Sequence, residues 1–208
     1  MALDPRVDFS YQNTSRDLAH LDRALAEVLR LSGHSLDQDT DRRLLNLACG
    51  RADETGVLAQ QFGQGADSLE ILGADIRAPE IAEARTRWGC DESNKLTAQF
   101  EVHDGSRLLR SLSPDQQFDV AFLRHQNFWN NPKLWRDMFR GALEQLNDDG
   151  LFVITSYFDR EHELACESLQ KLGAIKLSDY RNPGTRHLDD APGKSTDRRL
   201  AVFRKPIS

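Results

Sequence analysis

Apolar positions along the chain fall into short continuous runs separated by longer amphipathic stretches. Leu18, Leu21, Leu25, Val28 and Leu29 share one helical face, Thr14 and Asp17 give that helix a capping-box-like start, and it ends near Gly33. The pattern then alternates. It predicts a strand from Arg43 to Leu47, a helix from Asp53 to Phe62, a strand from Leu69 to Asp75, a helix from Pro79 to Trp88 and a strand from Ala98 to His103. FDVAFLR, Phe118 to Arg124, reads as a further strand. A helix from Pro132 to Leu146, the turn DDG and the strand Leu151 to Tyr157 follow.

Strands that are apolar throughout, rather than at every second residue, belong to a parallel sheet covered by helices on both faces. The expected fold class is therefore α/β, a three-layer, doubly wound arrangement. The end of the chain differs. After a helix from Arg160 to Leu172, strands from Ala174 to Tyr180 and Arg199 to Arg204 are joined by RNPGTRHLDDAPGKSTD, which carries no helical period. This predicts a terminal antiparallel pair, with the connection as a flexible loop or a lid. The whole chain, 1–208, is expected to form one domain, residues 1–40 as a helical cap and 41–208 as the core.

Composition narrows the function classes. With 27 basic and 33 acidic residues the formal charge is −6, which gives no broad footprint for phosphate backbones and disfavours nucleic acid as a partner. A local run of Arg181, Arg186, Lys194, Arg198 and Arg199 leaves room for an anionic partner. Cys49, Cys90 and Cys166 are widely spaced, and His103, His162 and His187 have no mutual spacing that suggests ligands, so neither disulfides nor a metal are expected. The amino terminus has charges where a signal peptide needs an apolar core, and no segment approaches the roughly 18 apolar residues of a membrane span. A soluble, cytoplasmic protein is the expectation.

Candidate chemistry begins at LLNLACGRADE, Leu44 to Glu54, where the first strand breaks at Ala48, Cys49 and Gly50. In open parallel sheets ligands sit beyond the carboxyl ends of the strands, where small residues allow close approach and the next helix offers free N–H groups. The second strand ends at Asp75, placed to accept from a ribose diol, with Ile76 beside it for an adenine face. The third ends at Asp104, which can accept from an exocyclic amine. A nicotinamide-binding fold would also use Asp75, but its glycine fingerprint is absent.

From residue 40 on, the chain resembles the class I S-adenosylmethionine-dependent methyltransferases. The likeness lies in LLNLACGRADE, GADI, VHDG, FDVAFLRH and LNDDGLFVITSY. It implies a seven-stranded, mostly parallel sheet with an antiparallel last strand. It also implies S-adenosyl-L-methionine as cofactor, S-adenosyl-L-homocysteine as product, and cofactor contacts at Asn46, Ala48, Cys49, Gly50, Asp75, Ile76, Asp104, Gly105, Leu123 and Arg124. Where that family commonly has an acidic residue and spaced glycines, this chain has Asn46, Ala48, Gly50 and Ala52.

The loop RHQNFWNNP, Arg124 to Pro132, is the expected place of acceptor chemistry. Methyl transfer is an in-line displacement that needs alignment, exclusion of water and, for some acceptors, a base. His125 is the candidate base and Asn127 a candidate hydrogen-bonding residue. Phe128 and Trp129 can stack on an acceptor or attract a sulfonium. Tyr11 and Tyr157 complete the candidate acceptor pocket. The leading expectation is a methyltransferase acting on a small molecule. Its competitors are a non-catalytic cofactor-binding module, suggested by the altered first motif, and an RNA or protein methyltransferase.

Overall fold

The computed structural model describes residues 5–89, 95–113 and 115–206, and within the first helix side chains from Asn13 onward. Seven strands form one sheet: β1 (Asp41–Leu47), β2 (Ser68–Asp75), β3 (Leu96–Val102), β4 (Phe118–Leu123), β5 (Leu146–Ser156), β6 (Ile175–Arg181) and β7 (Arg199–Arg204). Their order is β3-β2-β1-β4-β5-β7-β6. The pairs from β3 to β5 are parallel, while β7 runs antiparallel to both neighbours. The winding reverses between β1 and β4, so their carboxyl ends open the crevice in which such sheets bind ligands.

The central strands β4 and β5 are apolar on both sides because both faces are covered, whereas β3 and β6 at the two edges of the sheet are partly exposed. In β4, Val120 and Phe122 pack with Leu21, Leu25, Leu58 and Phe62 of α1 (Pro5–Ser32) and α2 (Thr55–Phe62). Ala121 and Leu123 pack with Leu108, Met138, Phe139 and Leu169 of α4 (Gly105–Ser111), α5 (Pro132–Glu144) and α6 (Asp159–Lys171). A smaller cluster joins Cys49 and Ala52 to Ile81 and Ala84 of α3 (Ala78–Trp88) and to Phe100. Fully buried side chains of this size each contribute about 1.5–3 kcal/mol by leaving water.

Several elements depart from the sequence pattern. α1 begins at Pro5, so Thr14 and Asp17 lie inside the helix and not at its cap. The Asp17 carboxylate is instead taken by Arg186 Nε and Nη2, at 2.9 and 2.5 Å. α4 is absent from the pattern because its seven residues are too short to show a period; Asp104 caps it by accepting from Ser106 N at 2.9 Å. The DDG turn lies within β5, where the register to β4 jumps from Phe118↔Leu146 to Val120↔Leu151 as a bulge. The 182–198 connection is strapped down by a His187↔Ser195 bridge and by Asn182 N donating to Arg198 O at 3.0 Å, so it is not a loose loop.

Candidate active site

The turn after β1 is built on three left-handed residues in alternation: Ala48 (φ 53°), Gly50 (φ 55°) and Ala52 (φ 52°). An L residue there costs about 1–2 kcal/mol, whereas glycine costs only its unfolded-state freedom, about 0.4–1 kcal/mol. Ala48→Gly is therefore expected to raise stability by about 0.5 kcal/mol, read as a higher urea midpoint with unchanged slope. Ala52→Gly is expected to bring no gain, because its buried methyl packs with Ile81 and Ala84.

Asp75, at the tip of β2, is 5% exposed and reaches back to this turn. Its Oδ2 accepts from Gly50 N at 2.8 Å and from Arg77 Nη2 at 3.1 Å; its Oδ1 accepts from Arg77 N at 2.9 Å and Arg77 Nε at 3.0 Å. Burial pushes its pKa up, and the Arg77 and Gly50 bonds outweigh that, so the carboxyl is held below its ordinary range. The Arg77 guanidinium lies over the turn: a Cβ on Gly50 would stand 2.7 Å from its Nη2. Ile76 is 72% exposed and Val102, beside it on β3, 45%. Asp104 and Gly105 follow at the same edge, with Asp104 Oδ1 engaged by Ser106 N and Oγ.

Asn46 is buried, and its Nδ2 donates to Glu54 Oε1 at 2.8 Å. Glu54 thus brings a carboxylate to the position where Asn46 lacks one. Its buried setting pushes its pKa up. Glu54 also lies 3.6 Å from Arg124 Nη1, and Arg124 donates through Nε and Nη2 to Asp197 at 3.0 and 2.6 Å. Asp197 further accepts from Thr155 Oγ1 at 2.9 Å. Burial opposes the Asp197 charge, but Arg124 and His125 outweigh it, and its pKa falls far below the carboxylate range. Neither Glu54 nor Asp197 stood out in the sequence, since no spacing links position 197 to positions 124 and 125.

His125 sits at the end of β4 with a left-handed φ of 58°. Its Nε2 meets both the Asp197 carboxylate at 2.9 Å and the Asp197 N–H at 3.0 Å. A protonated Nε2 answers the first and an unprotonated one the second. Burial lowers its pKa, so the ring is neutral at neutral pH. It stacks on Tyr157 at 3.8 Å and 15°. Burial raises the Tyr157 hydroxyl to about 12, and Lys194 lies 4.7 Å from the ring centre.

His125, Tyr157 and Arg124 line a cavity of about 690 Å³ with Arg51 and Asp53 from the first turn, Thr14, Asp17 and Leu18 from α1, and Arg186, Leu188, Asp189, Asp190 and Thr196 from the strapped connection. Other expected acceptor residues are elsewhere. Phe128 is 6% exposed and stacks on Phe139 in the core, so it anchors the loop and does not face the cavity. Asn127 is exposed outside the lining, its carbonyl accepting from Trp135 Nε1 at 2.7 Å. Trp129 leans on Phe158 at 5.1 Å, also outside it. Leu123 is fully buried on the α4–α6 side and Cys49 beneath the turn, which leaves their backbones at the rim; burial pushes the Cys49 thiol up. The Tyr11 side chain lies outside the described residues.

Under this loop, Glu161 is 1% exposed and its Oε1 accepts from Phe128 N at 3.2 Å. Burial raises it to about 7. A carboxyl raised in the fold contributes stability below its unfolded pKa and loses it as pH rises through the folded value. Glu161→Gln is thus expected to raise the melting midpoint at pH 8, by about 1–3 kcal/mol of stability, with the difference shrinking toward pH 5. Thermal melts at the two pH values decide it.

The reversed-winding crevice, the acidic β2 tip and the cavity lined by Arg124, His125 and Tyr157 lie at the carboxyl ends of the parallel strands. The methyltransferase domain family matches residues 38–188, and the chain belongs to that family. No curated protein sequence matches the chain. Among solved structures it is similar to an S-adenosylmethionine-dependent methyltransferase from Clostridium acetobutylicum, at TM-score 0.65 and 12% identity over 97% of this chain and 98% of that one. It is also similar to a TehB-like methyltransferase from Corynebacterium glutamicum, at TM-score 0.59 and 17% identity over 97% and 100%. A glycopeptide N-methyltransferase complexed with sinefungin aligns at TM-score 0.60 and 11% identity over 88% and 87%. At these identities the likeness is one of fold. Among the described residues no helix is long and apolar enough to cross a membrane.

The residues at the crevice fit the cofactor on their own terms. The turn is backbone-lined at left-handed positions, Ile76 and Val102 at the tips of β2 and β3 are exposed apolar side chains, and the buried Asn46 Oδ1 has no partner among the described residues.

Proposed function

We propose that this methyltransferase acts on a small acceptor held in the cavity above β4 and β5. The observation that carries the reading is the cavity itself: about 690 Å³, within the usual span for small-molecule sites, with walls contributed by α1 and the strapped connection. The two described cysteines, Cys49 and Cys166, are unpaired thiols, which suits the cytoplasm as its compartment.

In this reading Ala48, Cys49 and Gly50 hold the methionine portion through backbone, Asp75 the ribose, Ile76 and Asp104 the adenine. S-adenosylmethionine supplies an electrophilic methyl group on a positively charged sulfur. The rest is done by the chain. Arg124, fixed between Glu54 and Asp197, holds the floor of the cavity in place. In the tautomer that carries its proton on Nε2 toward the Asp197 carboxylate, His125 acts as the base through Nδ1, which has no hydrogen-bond partner among the described residues. The imidazolium formed when Nδ1 takes the acceptor's proton is stabilised by that carboxylate. Tyr157 keeps the His125 ring flat against it and supplies a neutral hydroxyl to orient the acceptor.

Calorimetric titration with S-adenosylhomocysteine, which binds without reacting, tests the site. Micromolar binding supports the reading, and absence of binding at millimolar ligand overturns it. Transfer of tritiated methyl to a panel of small acceptors, lost in His125→Ala with cofactor affinity retained, tests the base.

A further inference from the structure

At the far edge of the sheet two arginines stand directly opposite each other, Arg181 on β6 and Arg199 on β7. Like charges so placed destabilise a sheet. Arg198 adds a third guanidinium. One carboxylate serves all three: Asp159, the first residue of α6, accepts from Arg198 Nε at 2.9 Å and Nη2 at 2.7 Å, and lies 3.6 Å from both Arg181 Nη2 and Arg199 Nη1. Asp179 lies 2.6 Å from Arg199 and is also held by Lys176 at 2.8 Å. Four cations therefore face two carboxylates, an excess of two positive charges on a chain of formal charge −6. The His162 ring, whose pKa burial lowers, lies 3.3 Å from Asp179, and Arg160 of the same helix is paired with Glu163 at 3.0 Å.

This excess is joined to the cavity through the chain, although none of the three arginines is among the cavity's lining residues. Arg198 N donates to Ser156 O at 2.9 Å, the preceding Asp197 holds Arg124 and His125, and Tyr157 is a wall of the cavity. Arg181 is 68% exposed and open to a ligand, whereas Arg198 and Arg199 are largely covered and fixed. Phe158, which precedes Asp159 in the chain, packs its ring against Trp129 at 5.1 Å. Guanidinium forks bind phosphate oxygens in pairs, and the free N–H groups at the start of α6 favour the same charge.

We propose that Arg181, Arg198 and Arg199 form a subsite for a phosphomonoester dianion, and that the methyl acceptor carries this group. A dianion cancels the excess of two, which a carboxylate or a single phosphodiester does not. The role in acceptor binding rests on the methyltransferase reading of the cavity; the subsite itself does not.

The test is titration of the full chain, without cofactor, with inorganic phosphate and with phenyl phosphate, followed by the arginine Nε–H resonances. Saturable millimolar binding is expected, and for phenyl phosphate it tightens as pH rises through the second ionisation of the monoester at about 6. Arg181→Gln, whose side chain is mostly in solvent, is expected to weaken it about tenfold through loss of a charge-assisted contact. Vesicles containing phosphatidic acid form the second arm: tighter binding to vesicles than to phenyl phosphate places the dianion on a lipid, and no vesicle binding places it on a soluble acceptor. Lack of saturation at tens of millimolar phosphate overturns the subsite, as does Arg181→Gln binding like the parent. Salt-sensitive binding of single-stranded RNA without phosphate saturation overturns it in favour of an RNA surface. The S-adenosylhomocysteine titration is separate, so its failure removes the acceptor role and leaves the phosphate result standing.

Discussion

Asp197→Ala is expected to cost about 3–5 kcal/mol of folding stability, which for a chain of this length lowers the melting midpoint by about 10 °C. The carboxylate is 1% exposed and joins Arg124, His125 and Thr155 at one point. Without it the buried Arg124 guanidinium keeps, among the described residues, Glu54 at 3.6 Å as its carboxylate, and an uncompensated buried charge is what makes breaking such pairs expensive. Part of the loss is backbone strain, because residue 197 has a φ of 45°, where alanine is disfavoured. Asp197→Asn separates the two terms: asparagine tolerates that φ and keeps the shape, so its loss reports the charge alone. The folded pKa of Asp197 is lowered, so its stabilisation is present above the unfolded carboxylate value and fades as pH falls through the folded one. The parent and Asp197→Asn proteins are therefore expected to converge in stability toward strongly acidic pH. A parent-like melting midpoint for Asp197→Ala at pH 7 would refute the arrangement.

The fold was legible wherever burial on both faces left a mark on the sequence. β4, β5 and β7 are apolar at consecutive positions because helices cover both sides, and the limits of β7, Arg199–Arg204, could be read directly. What stayed hidden depends on contacts between distant residues or on very short elements. Asp17 resembles a cap until Arg186, 169 positions away, takes its carboxylate. α4 spans two turns, too few to separate a helical period from an irregular apolar stretch. The β5 bulge is set by pairing with β4, and its LNDDG reads locally as a turn.

The placement of the strand-tip residues was legible for a different reason. Gly50, Asp75 and Ile76 sit at strand tips, and strand tips follow from the strands themselves. The cavity side is built by loops. Phe128 has the composition of a stacking residue, yet the pull of the core, with Phe139 beneath it, outweighs any role at the surface. Glu54 and Asp197 reach Arg124 from opposite directions through turns whose left-handed residues no period announces. The charge missing at Asn46 is restored eight residues later by Glu54, a substitution visible only once the turn has closed.

Removing Asp75 and removing Arg77 are expected to move cofactor affinity in opposite directions. All four Asp75 bonds are filled in the free protein, one by Gly50 N and three by Arg77, so a ribose diol reaches the carboxylate only by displacing the guanidinium. Arg77 has somewhere to go, since its Nη1 already lies 3.2 Å from Glu80 and its side chain is 54% exposed. If Asp75 holds the ribose as proposed, Asp75→Ala removes two charge-assisted hydrogen bonds to the diol and is expected to weaken S-adenosylhomocysteine binding about 100-fold. Arg77→Ala removes a competitor whose ion pair, half in solvent, is worth about 0–1 kcal/mol, so affinity is expected to rise by up to about fivefold. Calorimetry on the two variants, with melts to confirm folding, reads both signs. Were Arg77→Ala to bind more weakly than the parent, Arg77 would be a cofactor ligand in its own right. The pair it forms with Asp75 would then be a preassembled half of the site and not a plug over it.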